Sequence, residues 1–356
     1  MSDSVWSETG TSPAAISAAL EGLLRTGHED GSAHAPARAL NLILVVDRQW
    51  SGEISNRLER VGRQHPSRTV TFAVEPGRAT LDARVSIHCA TDSEPGALAP
   101  CRERIEILVG PDHLGVLASI AAPLLLAGLP TVLWSPHDHP EAVASAIEIS
   151  DAILVDTLEE PAVPRAIRET VALSGRARVV DLTWLRDRAW RERLAALFDP
   201  AEWRRAPLEI KSAGLRHAQG SGMASLLVVG WLGTLLGWKP RPLLPHEGTL
   251  YAKLRGHRQH VELRLAPLTE QAEPGLDSIE IETASGGRIS LARNAGGFVA
   301  SRRGPREDER EWTVLGAPPA EDRVLGRGLR EALFPDHTYE RALALTEKLL
   351  PEETLL

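Results

Sequence analysis

A chain of 356 residues, 43% hydrophobic and 25% charged, has the length and composition of a packed globular protein of two domains or three, not of a disordered one. Its 40 Lys and Arg against 48 Asp and Glu leave a net charge of -8, which argues against nucleic acid as a partner, because phosphate binding draws on a basic stripe. Two cysteines, Cys89 and Cys101, argue for a reducing compartment and against a disulfide scaffold.

Met1–Glu8 is polar and lacks a basic segment followed by an apolar run, so no secretory signal is expected and the protein is expected in the cytoplasm. Ser12 and Pro13 open a helix with Ile16, Leu20, Leu23 and Leu24 on one face. The stretch 28–37, rich in Gly, Ser, Ala and Pro, reads as a flexible connection, so residues 1–36 precede the main body. The apolar run Leu40–Val46, ending in Asp47, predicts a strand buried on both faces. Ser51 caps a helix carrying Ile54, Leu58 and Val61, and the chain turns through His65, Pro66 and Ser67 into a strand over 69–74. Strands over 81–89 and 104–109 flank a Pro/Gly loop. Asp112 caps an apolar helix reaching Ala127, a strand covers 129–134, and Asp138 with Pro140 opens another helix. A strand over 152–155, a helix over 165–173 and a strand over 178–182 complete the alternation. Parallel crossovers need helices of this length, so a mostly parallel, three-layer α/β sheet domain is expected over 37–182.

The remainder, 183–356, is expected to form an α+β domain. It opens with a Trp-rich helix over 183–198 and a short strand over 208–211, then enters a helix over 223–236. Gly220–Trp238 holds no charge, yet its apolar part is short for a span and is diluted by Gly230, Gly233, Gly237 and Thr234. A buried helix is expected, with glycines that let a neighbour approach closely, and no membrane. Beyond Pro240, Pro242 and Pro245 come alternating segments at 249–254, 259–265, 278–283, 288–292 and 297–301. With Gly256 and the pair Gly286, Gly287 at turn positions, they predict an antiparallel sheet. Helices over 322–333 and 338–350 close the chain.

Motifs that carry chemistry are scarce. Gly220, Gly222 and Ser225 make a partial dinucleotide fingerprint with Ser at the third glycine, and no strand-turn-helix unit with an acid downstream accompanies them. The first strand-to-helix turn reads Asp47, Arg48, Gln49, Trp50, Ser51, Gly52, so no cofactor is expected on this chain. No Walker loop, zincin pattern or nucleophile elbow occurs, and no catalytic residue is expected. Cys89, Cys101 and His88 match no standard ligand set, and Asp138 between His137 and His139 reads as a helix cap, so no metal is expected. His65, Ser67 and Arg68 form the candidate loop for gripping an anion or a partner's carboxylate, because Arg binds such groups bidentately. A plain helix-to-strand turn, with Arg68 paired to a nearby acid, is the alternative. Trp184, Trp190, Trp203, Trp231 and Trp238 gather in one stretch and are candidate interface aromatics, though tryptophan also fills cores.

Four segments, in this order, resemble the OpcA family of glucose-6-phosphate dehydrogenase assembly proteins. They are His65-Pro-Ser-Arg68, Leu129-Pro-Thr-Val-Leu-Trp134, Asp181-Leu-Thr-Trp-Leu-Arg-Asp-Arg-Ala-Trp190 leading to Phe198-Asp199, and Gly230-Trp-Leu-Gly-Thr-Leu-Leu-Gly-Trp238. The resemblance runs from about Ala37 to Trp238, and beyond it the layout alone matches. It implies an accessory protein, not an enzyme, that binds oligomeric glucose-6-phosphate dehydrogenase and promotes its assembly or active conformation in the oxidative pentose phosphate pathway. Catalytic residues and NADP then belong to the partner. In the photosynthetic branch of the family, control is linked to cysteines toward the C-terminus; here none lies beyond Cys101, so redox control by that route is not expected. The residues themselves leave two other readings open. One is a sugar-phosphate or nucleotide-binding enzyme with a non-standard phosphate site at His65, Ser67 and Arg68; the other is a scaffold for a different oligomer.

Overall fold

A computed structural model describes residues 4–29, 36–62, 66–89, 99–270, 273–306, 308–316 and 321–351. Up to Val155 the elements are β1 (Ser4–Glu8), α1 (Pro13–Glu29), β2 (Pro36–Ala37), β3 (Leu40–Asp47), α2 (Ser51–Gly62), β4 (Ser67–Val74), β5 (Asp82–Cys89), β6 (Ala99–Val109), α3 (Leu117–Ala121), β7 (Thr131–Trp134), α4 (Pro140–Ala146) and β8 (Ala152–Val155). Then follow α5 (Val163–Ser174), β9 (Arg178–Asp181), α6 (Leu182–Arg186), α7 (Arg188–Ala196), β10 (Ile210–Ala218) and α8 (Gly222–Leu236). Strands β11 (Leu244–His246), β12 (Thr249–Arg255), β13 (His260–Leu268), β14 (Leu276–Thr283), β15 (Arg288–Asn294), β16 (Gly297–Arg303) and β17 (Arg310–Leu315) precede α9 (Glu321–Glu331) and α10 (His337–Glu347). Two compact units share the chain by exchanging segments: Met1–Val155 with Gly175–Val180 and Glu321–Pro335, and Asp156–Ser174 with Asp181–Ala320 and Asp336–Leu356.

The first unit is built on a sheet in the order β1-β5-β6-β4-β3-β7-β8-β9, with β2 beside β6. β3 runs parallel to β4 and β7, β4 parallel to β6, and β7 parallel to β8, while β5 and β1 add antiparallel edges. The run Leu40–Val46 is buried throughout, as its uninterrupted apolar sequence requires of a central parallel strand. The order steps outward from β3 to β4 and β6, then returns to β7 on the other side of β3. The crossover direction therefore reverses between β3 and β7, where open α/β sheets leave a crevice beyond their carboxyl ends.

Three local expectations need correction here. The helix predicted from Asp112 to Ala127 is broken into a 3-10 turn Pro111–Val116, the five-residue α3 and a second 3-10 turn Ala122–Leu124. Pro123 has no N–H to continue the ladder and Gly115 weakens it, so propensity fails twice within one segment. Asp138 does not cap α4: it sits exposed in the left-handed region at φ 51, and His139 occupies the cap position before Pro140. Residues 4–8, expected ahead of the main body, pair antiparallel with β5 and so join its sheet. The loop 90–98 and the connection 30–35 lie outside the described residues.

The second unit carries an eight-stranded sheet in the order β11-β12-β13-β10-β14-β15-β16-β17. It is mixed, because β10 runs parallel to β13 and antiparallel to β14. β10 reaches nine residues where a short strand over 208–211 was expected; its buried Ala213, Leu215 and His217 alternate with residues of the other face. Above it lies α8, buried at every residue from Met223 to Gly233. A Cβ on Gly230 would stand 2.4 Å from the Ala342 carbonyl oxygen, and one on Gly233 2.9 Å from Leu345, so these glycines let α10 approach as the sequence predicts. Among the described residues no helix is long and apolar enough to cross a membrane. The Trp-rich helix expected over 183–198 is two helices, α6 and α7, broken at the buried Asp187.

Candidate functional site

Arg68 and Ser67 leave β4 on opposite faces. Arg68 is buried, its Nε donating to Glu103 Oε2 at 2.5 Å and its Nη1 to the Leu124 carbonyl at 3.0 Å. Arg38 binds the other oxygen of the same fully buried carboxylate through Nε at 2.6 Å. The guanidinium of Arg68 is thus committed to a structural ion pair, the second of the two readings its sequence allows. His65 lies outside the described residues. Ser67 faces a shallow depression beneath α2, shared with Ser55, Thr69, Thr71, Arg102 and Arg104, with room for about 30 Å³. Arg104 there donates to Glu59 Oε1 at 2.7 Å.

At the reversal point of the first sheet, Asp47 ends β3 and the loop after β7 brings two histidines to it. Its backbone N–H donates to His137 Nδ1 at 3.1 Å, which leaves the His137 proton on Nε2. Burial holds the His137 pKa below its ordinary value, against the pull of Asp47. His139 Nε2 stands 3.2 Å from Asp47 Oδ1 but off the hydrogen-bonding direction, and Ser135 Oγ is buried with no partner among the described residues. The Trp50 ring lies 6.3 Å from that of His137 and is 46% exposed. Among the described residues no group of three or more His, Cys, Asp and Glu side chains is arranged to hold a metal ion. Trp50 stands four residues before Ile54, a spacing that on one continuous helix would point it inward. The 3-10 turn Arg48–Trp50 breaks that phase.

All five candidate interface tryptophans are buried in the second unit, which places them in the core instead of on a surface. Trp184 is the centre of a polar network. Its Nε1 donates to Asp336 Oδ2 at 2.8 Å, and Asp336 also caps α10. The Arg191 guanidinium stacks 3.3 Å from the Trp184 ring centroid and donates to the Trp184 carbonyl. Asp181, 1% exposed, caps α6 through Thr183 N–H at 2.9 Å and accepts from Thr157 Oγ1 at 2.7 Å and from the Tyr339 hydroxyl at 3.2 Å. Asp156 makes a two-pronged pair with Arg186 at 2.7 and 2.5 Å. Burial first, and the Asp156 charge second, push the Asp181 carboxyl up to about 6. Asp187, whose Oδ2 has no hydrogen-bond partner, is pushed up to about 7 by burial, with Arg191 pulling the other way. Two acids in an apolar, Trp-bearing helical stretch were the available sequence signal for this network.

These features define a two-unit α/β protein whose first sheet has the strand order of dinucleotide-binding folds, with Asp47, Arg48, Gln49 and Trp50 where such folds keep phosphate-binding glycines. The glucose-6-phosphate dehydrogenase subunit N-terminal domain family matches residues 58–172, and the C-terminal domain family of that subunit matches 177–343. The chain belongs to the OpcA family. It is 26% identical over 186 residues to a candidate OxPP cycle protein OpcA of Synechococcus elongatus, covering 51% of this chain and 42% of that protein. It is 24% identical over 237 residues to the counterpart in a Synechocystis species, covering 65% of this chain and 49% of that one. The chain thus spans about half the length of these curated relatives. Among solved structures, the WlbA dehydrogenase from Thermus thermophilus, in complex with NAD and alpha-ketoglutarate, matches over 88% of this chain and 96% of its own at 16% identity and a TM-score of 0.40. The scyllo-inositol dehydrogenase from Lactobacillus casei matches over 87% and 94% at 13% identity and a TM-score of 0.38. Scores this low transfer no activity.

Proposed function

We propose that the chain is a non-catalytic cytoplasmic partner of glucose-6-phosphate dehydrogenase that promotes its oligomeric assembly or active conformation. The observation that carries this reading is the pair of matched domain families, in order, across 58–172 and 177–343. The run Asp47, Arg48, Gln49, Trp50 where phosphate-binding glycines would stand, and the inward commitment of Arg68, support placing NADP and the catalytic residues on the dehydrogenase. The chain acts by binding one state of the enzyme more tightly than another. Turning a 1:99 mixture into 99:1 takes about a 10⁴-fold preference, and a smaller preference gives a smaller activation. Trp50 is an exposed aromatic suited to anchor such a contact, since tryptophans carry a large share of binding energy at interfaces.

Light scattering of a mixture with the dehydrogenase tests the reading: a complex heavier than either protein, formed at a fixed ratio, is expected. Two unassociated folded proteins, with turnover of a phosphorylated sugar by this chain alone, would replace it with an enzyme.

A further inference from the structure

β4 pairs on both edges within the sheet and lies under α2, a position where parallel strands ordinarily read as continuous apolar runs. Its sequence departs from that rule at Arg68 on one face and at three hydroxyl residues on the other. Ser67, Thr69 and Thr71, spaced by two and so on one face, all carry hydroxyls into the depression beneath α2, and Ser55 of that helix adds a fourth. β6 brings Arg102 and Arg104 to the same face, with Arg104 directly beside Thr69 in the parallel register.

We infer that this depression binds an oxyanion, the phosphoryl group of a small phosphate monoester or free phosphate. Guanidinium groups recognise such oxygens with paired N–H donors, and the hydroxyls supply further donors that reorient at no cost in charge. The present partner of Arg104 is a weak competitor: Glu59 is 53% exposed, and a surface pair of that kind contributes little. A dianion displaces it. Val61, in the last turn of α2, lines the site too, and the negative helix end opposes an anion with roughly half a charge, against the full charge of each arginine. The room of about 30 Å³ admits phosphoryl oxygens but no sugar ring, so the organic part of an ester stays in solvent.

The isolated full chain is the test object, without dehydrogenase, so failure here leaves the accessory role standing. Its unfolding temperature should rise saturably with inorganic phosphate, relative to chloride at matched ionic strength. D-glucose 6-phosphate producing the same rise at lower concentration identifies an ester as the ligand; a response to phosphate alone identifies the free ion. Arg104→Met should weaken binding about tenfold or more, and Thr69→Val, nearly isosteric, several-fold. If Arg104→Met does not fold, Thr69→Val decides. No saturable rise by about 50 mM phosphate, or an equal rise in a folded variant, overturns the site.

Discussion

Asp187 carries its carboxyl almost wholly out of water, and the sign of the result is unusual for an acid. Its folded pKa, about 7, lies above the ordinary 3.8, so the folded state holds a proton that the unfolded chain releases. The stabilisation is fully present below about pH 4 and is lost as pH rises to about 7, amounting to roughly 4 kcal/mol at most. Asp181, raised to about 6 chiefly by burial, adds to the same trend. Asp187→Asn should flatten it, so that urea unfolding shows the variant gaining on the wild type between pH 5 and pH 8; a constant difference would contradict the assignment. Glu103 is a buried carboxylate shared by Arg38 and Arg68. Glu103→Gln should cost about 3–5 kcal/mol, because it leaves charged guanidiniums buried without their counter-ion. Pairing of Arg68 with an acid was legible in the turn sequence. That Glu103 serves two arginines was not, because Arg38 is 65 residues away in the chain.

At the scale of elements, the contact of α8 with α10 rests on absent side chains. A Cβ on Gly230 would lie 2.3 Å from Thr346 Oγ1 and 2.4 Å from the Ala342 carbonyl, so the α10 backbone must move. Gly230→Ala should cost about 1–3 kcal/mol despite its better helix propensity, read as a lower urea midpoint with unchanged slope. This close approach was legible from the glycine spacing, and so were β3 and β8 from unbroken apolar runs and β12 to β16 from alternation. Broken helices were not. The segments at 111–124 and 182–196 are apolar enough to read as continuous, but Pro123 removes a ladder hydrogen bond and the buried Asp187 turns the chain between α6 and α7. Short edge strands β1, β11 and β17 carry too little alternation to stand out from loops.

For the whole molecule, the parallel sheet and the α+β remainder were legible from alternation and length, and the family from four short segments. The exchange of segments between the two units was not, since α9 and α10 look alike in sequence yet belong to different units. The burial of the five tryptophans has a physical reason: at helical spacing in an apolar stretch they pack into the core, while Trp50, in a turn, is exposed. The most direct measurement is the rate of purified glucose-6-phosphate dehydrogenase from the same organism, titrated with this chain and with Trp50→Ala. Saturable activation by the wild type, with an apparent affinity about tenfold or more weaker for Trp50→Ala, is predicted. An unchanged dehydrogenase rate at every ratio, with both proteins folded, would contradict the account.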